Sequence, residues 1–208
     1  MASCPWVNPL IEWFRRYGRT FPWRESRNWY EVLIAEVMLV RTRSETVAKV
    51  YREFLNRFPT PQDLCRASIE EVESFFKKLG LVNRGRRLRN AVCAIVEQYN
   101  SNLPCSEDEL LKLDGVGKYI ARVLLTQVCG VPKPFVDTNI KRVLSRLTGR
   151  ELDYGTAEAI LLQCVPSDKM WIVCVALLDL AALVCKPRKP ECRSCPIASY
   201  CAHMMRAS

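Results

Sequence analysis

Apolar residues recur at helical spacing along almost the whole chain, and this period constrains the fold more than any other feature of the sequence. In the segment IEEVESFFKKLGL the apolar side chains share one helical face. Ser68 and Glu71 predict its N-terminal cap, and Gly80 predicts its end. No segment alternates apolar and polar residues between hairpin turns, and no motif repeats at a fixed period. The sequence therefore predicts an all-α fold.

The balance of charges points to a polyanionic partner. The chain has 208 residues, 49% of them apolar, and Lys and Arg outnumber Asp and Glu by 31 to 22. Because each basic side chain on a phosphate releases a condensed counterion, the net charge of +9 favours nucleic acid. Four arginines at the start of one predicted helix either follow phosphates or form a solvated face. They are Arg84, Arg86, Arg87 and Arg89.

The N-terminus and the cysteines together indicate a reducing location inside the cell. The segment MASCPWVNPL lacks the basic region and apolar core of a signal peptide, so the 11 cysteines are not expected to form the disulfide framework of a secreted domain. Seven of them lie mostly in apolar helical context, where we expect free thiols that pack as small apolar side chains. These seven are Cys4, Cys65, Cys93, Cys105, Cys129, Cys164 and Cys174.

The longest apolar stretch predicts a buried helix. It covers residues 171–184 and is interrupted by Asp179. It is shorter than the roughly 20 residues that cross a bilayer. We therefore expect no membrane partner.

The strongest local signal is a cysteine motif near the C-terminus, in the segment CKPRKPECRSCPIASYC. Its spacing, C-x6-C-x2-C-x5-C, can present four thiolates to one inorganic centre. Tetrahedral thiolate coordination does not by itself choose the metal, so this spacing leaves both an iron–sulfur cluster and zinc open. The predicted metal ligands are Cys185, Cys192, Cys195 and Cys201.

The segment SEDELLKLDGVGKYIARVLLTQV predicts two helices joined by a tight hairpin, with Ser106 and Glu109 as the capping pair of the first helix. Glycines at the turn allow close approach of the backbone, so amide groups at the start of the second helix can bind a phosphate oxygen. A simple interhelical loop is the alternative for such a turn. The predicted phosphate contacts are Gly115, Val116, Gly117 and Lys118.

Asp137 stands directly before a predicted helix in FVDTNIKRVLSRL, where an N-cap and a functional carboxylate are compatible roles. The order of the hairpin, this aspartate and the cysteine motif resembles the helix-hairpin-helix DNA glycosylase superfamily, which includes endonuclease III and the MutY-type adenine glycosylases. The segment FPWRESRNWYEVLIAEVMLVRTRSETV is also similar to the MutY branch and to the thymine mismatch glycosylases of thermophiles called Mig.

The resemblance implies a two-domain glycosylase fold with a [4Fe–4S] cluster on the four motif cysteines. A six-helix barrel with the hairpin would cover residues 24–131, and residues 1–23 and 132–208 would form a discontinuous cluster domain. DNA would bind across the cleft between them. We expect a monomer acting on double-stranded DNA with a mismatched base, in the cytoplasm at the nucleoid of a prokaryotic cell.

The resemblance also implies a mechanism of base excision. Asp137 would stabilise the oxocarbenium-like transition state at the sugar once the target nucleotide has left the base stack. Glu36 matches a glutamate that protonates the leaving base, and its apolar neighbours favour a buried carboxyl. Tyr119 stands where lyase-active relatives have a nucleophilic lysine, so we expect an enzyme that leaves an intact abasic site.

Two departures favour thymine or uracil opposite guanine as the substrate. Adenine glycosylases have a glutamine pair where this chain has Val40 and Arg41, and they add a C-terminal domain that checks for 8-oxoguanine, for which these 208 residues contain no counterpart. The thymine mismatch enzymes have arginine at the place of Arg41. Arg41 and Leu81 are the candidates for filling the gap and contacting the orphan guanine.

Three other functions stay open on the sequence alone. One is adenine excision opposite guanine or 8-oxoguanine. Another is a glycosylase that also cleaves the strand. The third is an iron–sulfur protein that binds DNA without catalysis, which need not have retained Asp137.

Overall fold

The computed structural model describes residues 3–207, and within that range it is all-helical without a β-strand. The predicted fold class is confirmed. The α-helices are, in chain order, α1 Val7–Tyr17, α2 Pro22–Glu25, α3 Trp29–Leu39, α4 Ser44–Arg57, α5 Pro61–Arg66, α6 Ile69–Lys77, α7 Val82–Gln98, α8 Glu107–Leu110, α9 Lys118–Gln127, α10 Thr138–Thr148, α11 Tyr154–Cys164, α12 Met170–Leu183 and α13 Ala202–Ala207. Short 3-10 turns lie at Ser167–Lys169, Cys192–Ser194 and Ala198–Tyr200.

The chain divides into two compact units. The described residues of Met1–Arg19 and Pro132–Ser208 form the first unit, and Thr20–Val131 forms the second. We call them the terminal unit and the central unit. The assignment of residues 24–131 to a barrel domain and of the remainder to a cluster domain stays a prediction about what each unit does.

The central unit is built around α3, which is buried along most of its length and packs against α4, α7 and α9. Local sequence determines several helix ends. The Ser68 side chain accepts a hydrogen bond from the Glu71 N–H at 3.1 Å, which confirms the predicted cap of α6. Gly80 adopts a φ of 70°, the left-handed conformation that ends a helix at low cost.

The terminal unit is built around α12, which packs against α1 and α10 and confirms the predicted buried helix. Its Asp179 is fully buried and pairs with Arg19 at 2.8 Å, and the Arg19 backbone N–H donates to the same carboxylate at 2.6 Å. Two donors on one buried carboxylate offset much of the free-energy cost of removing that charge from water. The pair therefore ties the end of the N-terminal segment to the core of this unit.

No single helix within residues 3–207 is long and apolar enough to span a membrane. One pair of consecutive helical segments, Tyr154–Cys164 and Ser167–Leu183, reaches the required length only together and is bent by 118°.

The prediction that seven cysteines are free thiols is wrong for six of them. Packing brings these six together as three disulfides, with Cα atoms 4.8–5.8 Å apart, as a disulfide requires. The bonds are Cys4–Cys164 in the terminal unit, and Cys65–Cys93 and Cys105–Cys129 in the central unit. Cys174 is a free buried thiol as predicted, and burial raises its pKa to about 12.

Candidate active site

Asp137 is the N-cap of α10, and its carboxylate has three hydrogen-bond donors. Oδ1 accepts from the backbone N–H groups of Asn139 at 2.9 Å and Ile140 at 2.8 Å. Oδ2 accepts from the Asn139 side-chain amide at 2.7 Å. The predicted N-cap is therefore present. These bonds hold the carboxylate in one orientation at the positive end of the helix dipole.

A chain of hydrogen bonds continues from Asp137 to the cysteine motif within the terminal unit. The Arg142 guanidinium donates to Asn139 Oδ1 at 3.0 Å, and its Nε donates to the Cys185 carbonyl at 3.2 Å. Burial lowers the pKa of Arg142 below its ordinary value. Asn139 and Arg142 thus couple the position of the carboxylate to that of the first cysteine.

Arg146, one helical turn after Arg142, holds the loop that begins at Cys185. Its guanidinium donates to the carbonyls of Lys186 and Pro187, both at 2.7 Å, and to Cys185 Sγ at 3.3 Å. Sequence reasoning did not assign Arg142 and Arg146. Their spacing of four on α10 places both on one helix face, which is a signal that could have indicated a shared partner.

The four motif cysteines are free, and their side chains line one cavity in the terminal unit. The remaining walls are largely apolar and come from α10, α12 and the segment after Ile197. Burial raises the pKa of the Cys195 thiol to about 11. Among the described residues, no group of three or more His, Cys, Asp or Glu side chains is arranged to hold a single metal ion. By its donor chemistry the set of four thiols fits an iron–sulfur cluster.

Glu36 and Tyr119 lie in the central unit, on α3 and α9, two helices that pack against each other. Glu36 is only 7% exposed, which confirms the burial predicted for it. Tyr119 is half-buried in the first turn of α9. Asp137 belongs to the terminal unit, so the three predicted catalytic residues are divided between the two units.

The hairpin lies where the sequence predicts, between α8 and α9, with Gly117 as the N-cap of α9. The fold of the hairpin requires glycine at position 115, because the φ of Gly115 is 78° and a Cβ there would approach Arg87 Cβ to 3.0 Å. Gly117 has an ordinary φ of −91°, and a Cβ there would meet no described atom within 4 Å. The absence of a side chain at Gly117 therefore leaves room for an external group. Val116 is buried and Lys118 is exposed.

Contacts from α7 hold the hairpin in place. The Asn90 amide donates to Asp114 at 3.0 Å, and Arg87 lies 3.8 Å from the same carboxylate. The predicted capping pair Ser106 and Glu109 is wrong in detail, because the Ser106 side chain makes no capping hydrogen bond. The start of α8 is held instead by Glu107, which pairs with Arg122 of α9 at 2.9 Å.

The four arginines of α7 have different surroundings. Arg84 and Arg89 donate to backbone carbonyls of neighbouring segments, which makes them structural. Arg86 pairs with Glu73 at 3.2 Å and is largely exposed. Arg41 is exposed after α3, and Leu81 is half-buried directly before α7.

The family model described as HhH-GPD superfamily base excision DNA repair protein matches residues 34–166. The chain is 35% identical to the thymine-DNA glycosylase of Aeropyrum pernix, over 93% of this chain and 92% of that protein. It is 34% identical to the thymine/uracil-DNA glycosylase of Pyrobaculum aerophilum, over 91% and 87%. It is 32% identical to the human adenine DNA glycosylase, over 95% of this chain but 39% of that protein.

Two solved structures are also similar to this chain over nearly its whole length. A thermostable thymine-DNA glycosylase superposes with a TM-score of 0.89 at 29% identity, covering 96% of this chain and 95% of that one. A trapped covalent intermediate of endonuclease III with DNA superposes with a TM-score of 0.82 at 28% identity, covering 96% and 95%.

Proposed function

Because this chain belongs to the HhH-GPD superfamily of base excision DNA repair proteins, we propose that it excises thymine or uracil paired with guanine and leaves an intact abasic site. It is a DNA glycosylase, a hydrolase that acts on glycosyl bonds. The observation that carries the mechanism is the Asp137 carboxylate, which three donors hold in one orientation.

Asp137 is proposed to act on the sugar of a nucleotide that has left the base stack. As the bond between C1′ and the base breaks, the base takes the bonding electrons and positive charge develops on the sugar. A carboxylate already held in place stabilises that charge without reorganising. Water then adds to C1′ and loses a proton, and the departing base gains one. Hydrolysis is complete when an abasic site remains.

Tyr119 and Glu36 are the residues of the central unit that are proposed to take part in excision. Glu36 would act on the leaving base, and Tyr119 stands where lyase-active relatives have the lysine that attacks the sugar. A phenol in the first turn of α9 cannot form the Schiff base that strand cleavage requires, and Lys118 before it points from a different helical face. The buried Glu36 carboxyl is the proposed proton donor to the leaving base, the role that the resemblance to the adenine glycosylases implies. We therefore propose base excision without AP lyase activity.

The hairpin is proposed to bind a phosphate of double-stranded DNA. Gly117 leaves the start of α9 open to a close approach, and the helix dipole and Lys118 favour an anion there. Such a contact fixes the position of the duplex and reads no sequence. Arg41 and Leu81 are proposed to contact the orphan guanine and to fill the gap. The DNA complexes of endonuclease III support a duplex as the ligand.

The four motif cysteines are proposed to hold a [4Fe–4S] cluster, which supplies structural cohesion to the loop of residues 185–201. Arg146 donates to one of these sulfurs, and N–H groups directed at sulfur favour a thiolate ligand. Iron and sulfide analysis of the purified protein tests the cluster. About four of each per chain is expected for this cluster type, and zinc with no sulfide would contradict it.

A monomer at the nucleoid in the prokaryotic cytoplasm is the proposed setting. The three disulfides are compatible with it, because intracellular proteins of hyperthermophiles are an exception to the rule that such bonds belong outside the cell. The relatives from Aeropyrum pernix and Pyrobaculum aerophilum support a thymine or uracil substrate. Adenine excision is the second candidate, favoured by the match to the human adenine enzyme.

The test is single-turnover excision from labelled duplexes carrying T·G, U·G, A·G, A·8-oxoguanine or normal pairs, developed with and without hot alkali. We expect alkali-dependent breaks at thymine and uracil opposite guanine. Asp137→Asn should slow them about 10³-fold, since it removes the stabilising charge. Asp153→Asn is the matched control, because Asp153 is also the N-cap of a helix, α11, and has no proposed role in excision. Breaks at adenine alone would favour the adenine branch, and breaks without alkali would reveal a lyase.

A further inference from the structure

Arg84 joins the two segments that carry Arg41 and Leu81. Its backbone N–H donates to the Leu81 carbonyl at 2.9 Å. Its guanidinium donates to the carbonyl of Val40, the residue before Arg41, at 2.7 Å, and lies 3.5 Å from the Val37 carbonyl. Two segments far apart in the sequence therefore meet at one residue, Arg84, through its backbone on one side and its side chain on the other.

The end of α3 explains why this guanidinium is held there. The last carbonyls of a helix lack helical partners and form the negative end of its dipole. The last turn of α3 contains no basic residue, so α7 supplies the cation through Arg84. Burial lowers the pKa of Arg84, and Arg41 and Arg87 lower it further because their charges are close.

The backbone of Arg41 supplies a second, independent observation. Its φ is 61°, in the left-handed region where a Cβ is unfavourable and glycine is the usual residue. The chain places a long cationic side chain at this position, although glycine would fit the backbone better. The hydrogen bond from Arg84 to the Val40 carbonyl fixes the peptide unit directly before Arg41, and so holds the turn in this conformation.

We propose that Arg84 is a positioning residue, which holds the turn after α3 so that the Arg41 guanidinium can bind the guanine left without its partner. This inference rests on the proposed function, in which Arg41 contacts that guanine. A planar guanidinium can donate two parallel hydrogen bonds to guanine, and adenine offers a different pattern. The orientation of Arg41 therefore determines how well the enzyme selects the opposite base.

The test is a binding measurement that does not depend on which base is excised. The probes are duplexes with a tetrahydrofuran abasic analogue opposite guanine or opposite adenine, and the readout is the ratio of the two dissociation constants. Arg84→Met should lower the preference for guanine about tenfold, because one good contact to a base edge typically provides discrimination of about that size. Arg84→Lys retains a donor and should recover part of it. Arg86→Met, an exposed arginine of the same helix, should leave the ratio unchanged.

Arg41→Gly provides the second arm and completes a double-mutant cycle. Glycine accepts a φ of 61° without strain, so this variant should melt no earlier than the wild type and still lose the preference for guanine. In the Arg41→Gly background, Arg84→Met should have no further effect on the ratio, because both changes act through one contact. An unchanged ratio in either single variant, or full additivity in the double variant, would overturn the proposal.

Failure of this inference is distinguishable from failure of the proposed function. A protein that excises no thymine or uracil contradicts the proposed substrate, yet the ratio for the abasic probes can still be measured. A wild-type protein that binds both probes equally contradicts the role of Arg84 even if thymine excision is observed.

Discussion

Removing the Cys4–Cys164 disulfide should destabilise the protein more than removing either of the other two. This bond connects Cys4, three positions before the start of α1, to the last residue of α11, with a sequence separation of 160. Cys65–Cys93 and Cys105–Cys129 have separations of only 28 and 24. A cross-link stabilises a fold mainly by restricting the unfolded chain, and the restriction grows with the logarithm of the closed loop.

The magnitudes follow from these separations. The chain-entropy relation gives about 5 kcal/mol for the Cys4–Cys164 loop and about 3.5 kcal/mol for each of the shorter loops. The Cys4–Cys164 bond also joins the two chain segments of the terminal unit, so no shorter covalent path connects α1 to the helices on which it packs.

Guanidinium unfolding of Cys4→Ala/Cys164→Ala and Cys105→Ala/Cys129→Ala, followed by circular dichroism, measures both losses. Replacing both cysteines of a pair by alanine adds no unpaired thiol to those already present. The wild type under reducing conditions is the control and should lose stability relative to its oxidised form. Equal losses for the two variants, a reversed order, or a wild type indifferent to reductant would refute the reasoning from loop length.

Three further predictions concern buried polar groups and thiols. Asn139→Ala should slow single-turnover excision about 10²-fold, because Asp137 loses a donor and small displacements of a reacting group are costly. An unchanged rate would contradict the role of Asn139. Asp179→Asn should lower the free energy of unfolding by about 3–5 kcal/mol, since it leaves Arg19 without its buried charge partner. A loss below about 1 kcal/mol in denaturant unfolding would contradict that expectation. Thiol titration of the denatured, cluster-free protein should count 5 free cysteines, and 11 only after reduction. A count of 11 without reduction would exclude the disulfides.

Features that depend on neighbouring residues could be predicted from the sequence. The cap of α6 and the N-cap role of Asp137 involve partners two or three residues away, where helix geometry determines which N–H groups are within reach. The hairpin could also be located, because two closely spaced glycines and an amphipathic helix after them are local signals.

Features that depend on distant residues could not be predicted in this way. Nothing in the local sequence distinguishes Cys65 and Cys93, which pair, from Cys174, which does not. Likewise Arg84 and Arg86 have similar sequence contexts, but only Arg84 reaches the carbonyls at the end of α3. Both outcomes are determined by which helices pack together. Periodicity indicates that a face is buried and does not identify the partner that covers it.

The packing of α1 against α12 has a consequence for how the protein is made. Because α12 lies far behind α1 in the chain, the ribosome must add about 150 residues before α1 meets its partner, roughly 10–30 s at ordinary elongation rates. The central unit emerges whole during that interval and can fold first. Until then Cys4 has no disulfide partner, and the apolar face of α1 has no α12 to cover it. The last motif cysteine, Cys201, is made later still, so the proposed cluster could gain its full set of four thiols only after residue 201 has been added.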